Sequence, residues 1–153
     1  MRGASLRMKG VVYEAGVYIV LTYGTETWAM KLGLFQGLRV TERRLLRMIC
    51  GVTLKDMVES TVIASRVGVN DLEEHLRQKR LRWFGHIVRR DEEVEIKKVF
   101  ELKIEGHRKK GRPVKRWIDV VEEDMKKRGV VQQDAGDREG WRRRAVKGLA
   151  NPR

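Results

Sequence analysis

The run from Arg77 to Arg90 holds six basic residues and no acidic one: Arg77, Lys79, Arg80, Arg82, Arg89 and Arg90. Interleaved with them are Trp83, Phe84 and His86, so a single helix would carry an aromatic face and a cationic flank. A second block, Arg108 to Arg116, adds Arg108, Lys109, Lys110, Arg112, Lys115 and Arg116, again without an acid, and a third contains Arg142, Arg143, Arg144 and Lys147. Like charges packed this closely repel and work against compaction. Phosphates relieve that repulsion with release of their counterions, so the chemistry these residue types suit is contact with a nucleic-acid backbone.

The sharpest local pattern is Lys109-Lys110-Gly111-Arg112-Pro113. A Gly-Arg-Pro core flanked by cations looks like an AT-hook, whose extended backbone lays Arg into the narrow minor groove of A·T-rich DNA. It occurs once, and Pro113 also suits the first turn of a helix, so general phosphate contact by this loop is the broader reading. Patterns for catalysis are missing. Two-metal chemistry needs clustered carboxylates, and the chain contains no Asp-Asp pair. Asp119 and Glu123 stand one turn apart but read as a polar helix face, pairing with Lys115 and Lys127. Cys50, His75, His86 and His107 lack the close spacing of a zinc site, and His86 reads as a structural histidine. There is no phosphate-binding loop, nucleophile elbow or dinucleotide-binding glycine pattern.

Across 153 residues, 34 Lys and Arg against 21 Asp and Glu leave a formal charge of +13. Charged residues make up 36%, well above the usual ~25%, while 41% hydrophobic residues are enough for a folded core. The balance excludes a neutral small-molecule enzyme as the default and favours polyanionic partners, RNA or DNA, over small substrates. A single cysteine, Cys50, excludes an internal disulfide and fits a reducing, intracellular setting, nuclear or cytoplasmic. The most apolar stretch, Val11 to Tyr23, is interrupted by Glu14 and is too short for a membrane span, which takes roughly 20 residues. It reads as a buried helix; the Arg2, Arg7 and Lys9 that precede it only loosely imitate a signal peptide.

The elements that would position the basic clusters are helical. Leu38, Leu45, Leu46 and Ile49 recur at helical spacing and Gly51 stands where a C-terminal cap would. Asp56 is placed to cap a short helix ending at Gly68, and Asn70 with Glu73 to open the longest helix, whose Leu72, Leu76, Trp83 and Ile87 form a stripe widened by Leu81, Phe84 and Val88. Asp91 to Lys103 suits a surface helix or strand crossing this core, and Glu105 to Arg112 an exposed loop. Pro113 then opens a helix through Val114, Trp117, Ile118, Val121 and Met125 to Gly129, and Asp134 caps a last one with Trp141 and Ala145. The prediction is a mainly α fold, a small bundle of about six short helices with a basic loop before the Pro113 helix. Its divisions are 1–51, 52–104, 105–146 and a frayed tail at 147–153.

Taken in order, several motifs resemble the C-terminal region of the reverse transcriptase of LINE-type, non-LTR retrotransposons. They are Tyr23-Gly24-Thr25-Glu26-Thr27-Trp28, Glu42-Arg43-Arg44-Leu45-Leu46-Arg47-Met48-Ile49-Cys50-Gly51 and Arg80-Leu81-Arg82-Trp83-Phe84-Gly85-His86-Ile87-Val88-Arg89-Arg90. Gly111-Arg112-Pro113, Arg116-Trp117, Glu123-Asp124-Met125 and Ala135-Gly136-Asp137-Arg138-Glu139-Gly140-Trp141-Arg142 follow. The resemblance spans Val17 to Val146. It implies the thumb and post-palm region of an RNA-directed DNA polymerase, where helices hold template and primer, in a chain that looks like a fragment of a larger element. The palm aspartates and their Mg²⁺ belong to the parent, so the resemblance implies no catalysis and no cofactor for this stretch alone.

Together these readings give a module that contacts template-primer backbone through Arg82, Arg89, Arg90, Lys109, Lys110, Arg112, Arg116, Arg142 and Arg143. Trp83, Phe84, Trp117 and Trp141 form its core, and no metal or membrane is involved. Two alternatives are a protein-interaction module that packs on an absent palm domain, and an AT-hook-like nuclear DNA-binding protein.

Overall fold

The computed structural model describes residues 3–102, 111 and 115–148. The Glu105–Arg112 loop, apart from Gly111, and Pro113 and Val114 lie outside them, as do the AT-hook residues Lys109, Lys110 and Arg112. The described residues are mainly α-helical and contain no strand. They fall into two compact units: Met1–Gly24 with Met30–His75, and Thr25–Ala29 with Leu76–Arg153.

In the first unit, α1 (Leu6–Val12) is capped by the Ser5 hydroxyl, which accepts from the Met8 amide at 3.2 Å. It runs through a widened π turn, Tyr13–Val17, into α2 (Tyr18–Leu21). Five-residue spacing across that turn brings Tyr13 and Tyr18 together, ring centroids 5.5 Å apart, and buries both. This corrects the expectation of a buried apolar helix. Two tyrosines, with Thr22, face inward, while Val11, Val17, Ile19, Val20 and Tyr23 are exposed, Val20 to 77% and Tyr23 to 85%. α1 packs on α4 (Ser60–Val67) so closely that a Cβ on Gly10 would collide with the Val67 carbonyl.

α3 (Leu32–Cys50) presents Leu38, Leu45, Leu46 and Ile49 on its more buried face and ends at Gly51, whose φ of 68° needs glycine. Glu42 shares that face. Burial raises its pKa, with Asp71 adding to the rise and the Tyr18 hydroxyl opposing it. Asp56 does not cap α4. Its carboxylate binds the Thr53 amide and hydroxyl at 2.6 and 2.9 Å in a 3₁₀ turn, Leu54–Asp56, and α4 starts four residues later without a side-chain cap.

α5 (Leu72–Val88) begins on Asp71 rather than Asn70: the Glu74 amide donates to the Asp71 carboxylate at 3.2 Å. The Asn70 amide instead meets Glu14. From Leu76 onward α5 belongs to the second unit. There Leu81 and Phe84 join Val121, Met125, Val130, Ala135, Trp141, Ala145 and Val146 in one core. The segment after Asp91 is a helix, α6 (Glu95–Glu101), not a strand, and its Phe100 meets Phe84 and Trp117 edge-on at 5.9 and 6.2 Å.

α7 (Trp117–Arg128) starts three residues later than the Val114 expected from Pro113. Asp119 sets the start, its carboxylate accepting from the Arg116 amide at 2.8 Å. Asp134 likewise belongs to a 3₁₀ turn, Gln132–Gly136, where it binds the Val131 amide at 2.9 Å and Arg144 at 2.9 Å. The cap of α8 (Arg138–Trp141) is Asp137, whose carboxylate accepts from Glu139 at 3.1 Å. A π turn, Arg142–Val146, continues α8. No helix among the described residues is long and apolar enough to cross a membrane.

Candidate functional site

Within the second unit, a cleft of about 780 Å³ is lined by Lys79, Arg82, Trp83, His86 and Arg89 of α5. Arg138, Trp141, Arg142 and Val146, from α8 and its continuation, form the facing wall, with Glu26 also on the rim. The spacing is helical on both sides. Arg82, His86 and Arg89 recur at four and three residues, and Arg138 and Arg142 at four, so each set lies on one face. The segment carrying Glu26 is held by the Trp117 indole, which donates to the Glu26 carbonyl at 2.7 Å, and by Lys79, 3.0 Å from the Glu26 carboxylate.

Trp141 is only 1% exposed, and its indole donates to the Leu81 carbonyl at 2.8 Å. Trp83 is half-buried and stacks on exposed His86, with ring centroids 5.5 Å apart and planes 24° from parallel. Both Nε and Nη2 of Arg90 lie within 3.2 Å of His86 Nε2. A guanidinium offers donors only, so these contacts are hydrogen bonds in the tautomer whose Nε2 accepts. Arg89 donates to the Ala135 carbonyl at 2.7 Å. Its pKa is lowered, first by partial burial and then by the neighbouring Arg138 cation. Among the described residues, Arg82, Arg138 and Arg142 have no carboxylate partner. The arrangement suits an anion with an aromatic or apolar part.

Three of the residues selected from sequence, Arg82, Arg89 and Arg142, therefore share one cleft. Arg90 lies beside them on His86. Arg143 lines a separate depression of about 360 Å³ with Glu139, Arg142 and Lys147. Arg116 is exposed and tied to Asp119 at 2.9 Å, away from the cleft lining. Of the four aromatic residues assigned to the core, Phe84 and Trp141 are fully buried, whereas Trp83 and Trp117 are half-buried.

Lys79 and Arg138 also line the cleft but were not among the residues selected from sequence. Arg138 could have been found from its position one turn before Arg142. In the opposite sense, Arg77 and Arg80 are not presented to a ligand. Arg80 Nη2 lies 2.7 Å and Arg77 Nε 3.3 Å from the buried Asp124 carboxylate.

Asp119 and Glu123, the carboxylates one turn apart, each meet a cation. Asp119 is taken by Arg116, and Glu123 by Lys115 eight residues earlier rather than by a partner one turn away. No group of three or more His, Cys, Asp or Glu among the described residues could hold an ion.

Comparison with known proteins agrees with a transposon-related origin. Over 119 residues the chain is 27% identical to a Caenorhabditis elegans protein described as transposon-derived, covering 74% of this chain and 43% of that protein. The chain thus spans less than half the length of the curated relative it matches. No family model matches, and no solved structure does either.

Proposed function

We propose that this chain is a nucleic-acid-binding fragment of a retrotransposon reverse transcriptase, from its thumb and post-palm region, which holds template-primer backbone without performing chemistry of its own. One observation carries the reading: Arg82, Arg89, Arg138 and Arg142 converge on a single cleft beside Trp83. Bringing four guanidiniums together costs electrostatic free energy, which a polyphosphate returns. The similarity to a transposon-derived protein and the motif series from Tyr23 to Arg142 support the origin. Neutralising about five phosphates makes log affinity fall with log salt at a slope of about −3.5 to −4.5. Titration of labelled RNA and DNA at several salt concentrations tests this, and an affinity that ignores salt rejects it.

A second reading is an interaction module that packs on a palm domain. It is favoured by the exposed Val11, Val17, Ile19, Val20 and Tyr23 on one short helical stretch, since exposed apolar surface of this kind marks contact sites. A monomeric chain that binds no apolar dye at neutral pH counts against it.

A further inference from the structure

We infer that the cleft takes an unpaired nucleobase, so the chain selects single-stranded over duplex nucleic acid; this rests on the nucleic-acid reading above. Phosphate contact alone needs only exposed cations and no concave site. The cleft adds Trp83, half-buried, already stacked on His86 and opening beside the guanidiniums of Arg82, Arg89 and Arg142. Arg90 fixes the His86 ring from its edge through Nε2, leaving the stack preformed. An aromatic platform flanked by cations is the arrangement that holds bases of any sequence by their π faces while the backbone follows the charge.

A volume of about 780 Å³ is that of a site for a small ligand, which fall at about 300–1,000 Å³. In a duplex each base face is covered by its neighbours, so a base reaches Trp83 only from an unpaired strand or a frayed end.

Labelled single strands with and without bases, at equal length and charge, separate base contact from phosphate contact. The base-containing strand binds at least about 5-fold tighter than the abasic one, the lower end of what one stacked base contributes. It also displaces the label better than a blunt duplex of equal phosphate content does. Trp83→Ala removes the difference, Trp83→Phe keeps it, and the salt slope is the same in both. His86→Ala, at an exposed position, weakens the difference and covers the case in which Trp83→Ala misfolds.

Equal binding of abasic and normal strands, or of duplex and single strand, with the salt slope intact overturns the inference and leaves the proposed function standing. Displacement by a free nucleoside monophosphate at the same nucleotide concentration overturns it in favour of a mononucleotide site. Loss of all nucleic-acid binding removes both.

Discussion

A Cβ built on Gly85 would lie 2.5 Å from Nε1 and 2.7 Å from Cδ1 of Trp141. The indole crosses α5 where that helix has no side chain and reaches the Leu81 carbonyl one turn earlier. Gly85 is therefore a contact surface, and its φ is not what demands glycine. Through it Trp141 becomes buried, and α8 is brought close enough to α5 for Arg138 and Arg142 to face Arg82 and Arg89.

Gly85→Ala tests that contact. In an open helix the change would gain up to about 1 kcal/mol from helix propensity. Overpacking against a buried indole costs about 1–3 kcal/mol, so the net effect is a loss of stability. Urea unfolding followed by tryptophan fluorescence should show a lower midpoint; an unchanged or higher midpoint would mean that the indole moves aside freely.

Asp124 is the hub of a buried charge cluster in the second unit, with Arg80 and Arg77 on its two oxygens. Asp124→Ala leaves two guanidiniums with little access to water, at a cost of about 3–5 kcal/mol. Asp124→Asn keeps two acceptor lone pairs on one oxygen and costs less. Half-buried Asp119 gives the contrast: Asp119→Ala loses an end-of-helix contact, at about 0.5–2 kcal/mol. Equilibrium unfolding of the three variants ranks them.

Glu42 sets a pH dependence for the first unit. Its folded pKa is raised by burial, so its contribution to stability is complete below the ordinary glutamate range and is lost as pH rises through the raised value. Asp56 and Asp134 act oppositely. Backbone amides, of Thr53 and Val131 respectively, hold their pKa values low, so their contributions exist above the ordinary aspartate range and disappear in acid. Glu42→Gln should match the parent near the ordinary glutamate range and exceed it at neutral pH. Denaturant midpoints at both pH values check this, and a variant that is less stable at neutral pH refutes it.

The cleft also divides the arginines by function. Arg142→Gln, at an exposed lining position, should lower affinity for nucleic acid and flatten the salt slope by about 0.7–0.9, the share of one phosphate. Arg116→Gln should leave both unchanged, because its guanidinium already serves Asp119 outside the cleft lining. Anisotropy titrations of both variants across salt concentrations measure the two slopes.

The amino-acid sequence by itself determined the helical character, the stops at Gly51 and Gly129, the Leu81 and Phe84 stripe and the cationic runs, because these depend on local spacing and backbone freedom. It missed the caps at Asp71 and Asp137 by one residue or a few, since several neighbouring Asx residues can each offer an oxygen and only the packed chain selects one. The exposure of Ile19, Val20 and Tyr23 is not legible from spacing because an added residue in the Tyr13–Val17 turn rotates the face that follows.

Only the tertiary structure decided which cations are available. Arg77, Arg80 and Arg82 look equivalent along the chain, yet Asp124, more than forty residues away, takes the first two, and Arg82 faces Arg142 across the cleft. Charge is a property of composition; whether a charge is spent inside the fold or offered to a partner depends on which distant carboxylate the packing brings within about 3 Å of it.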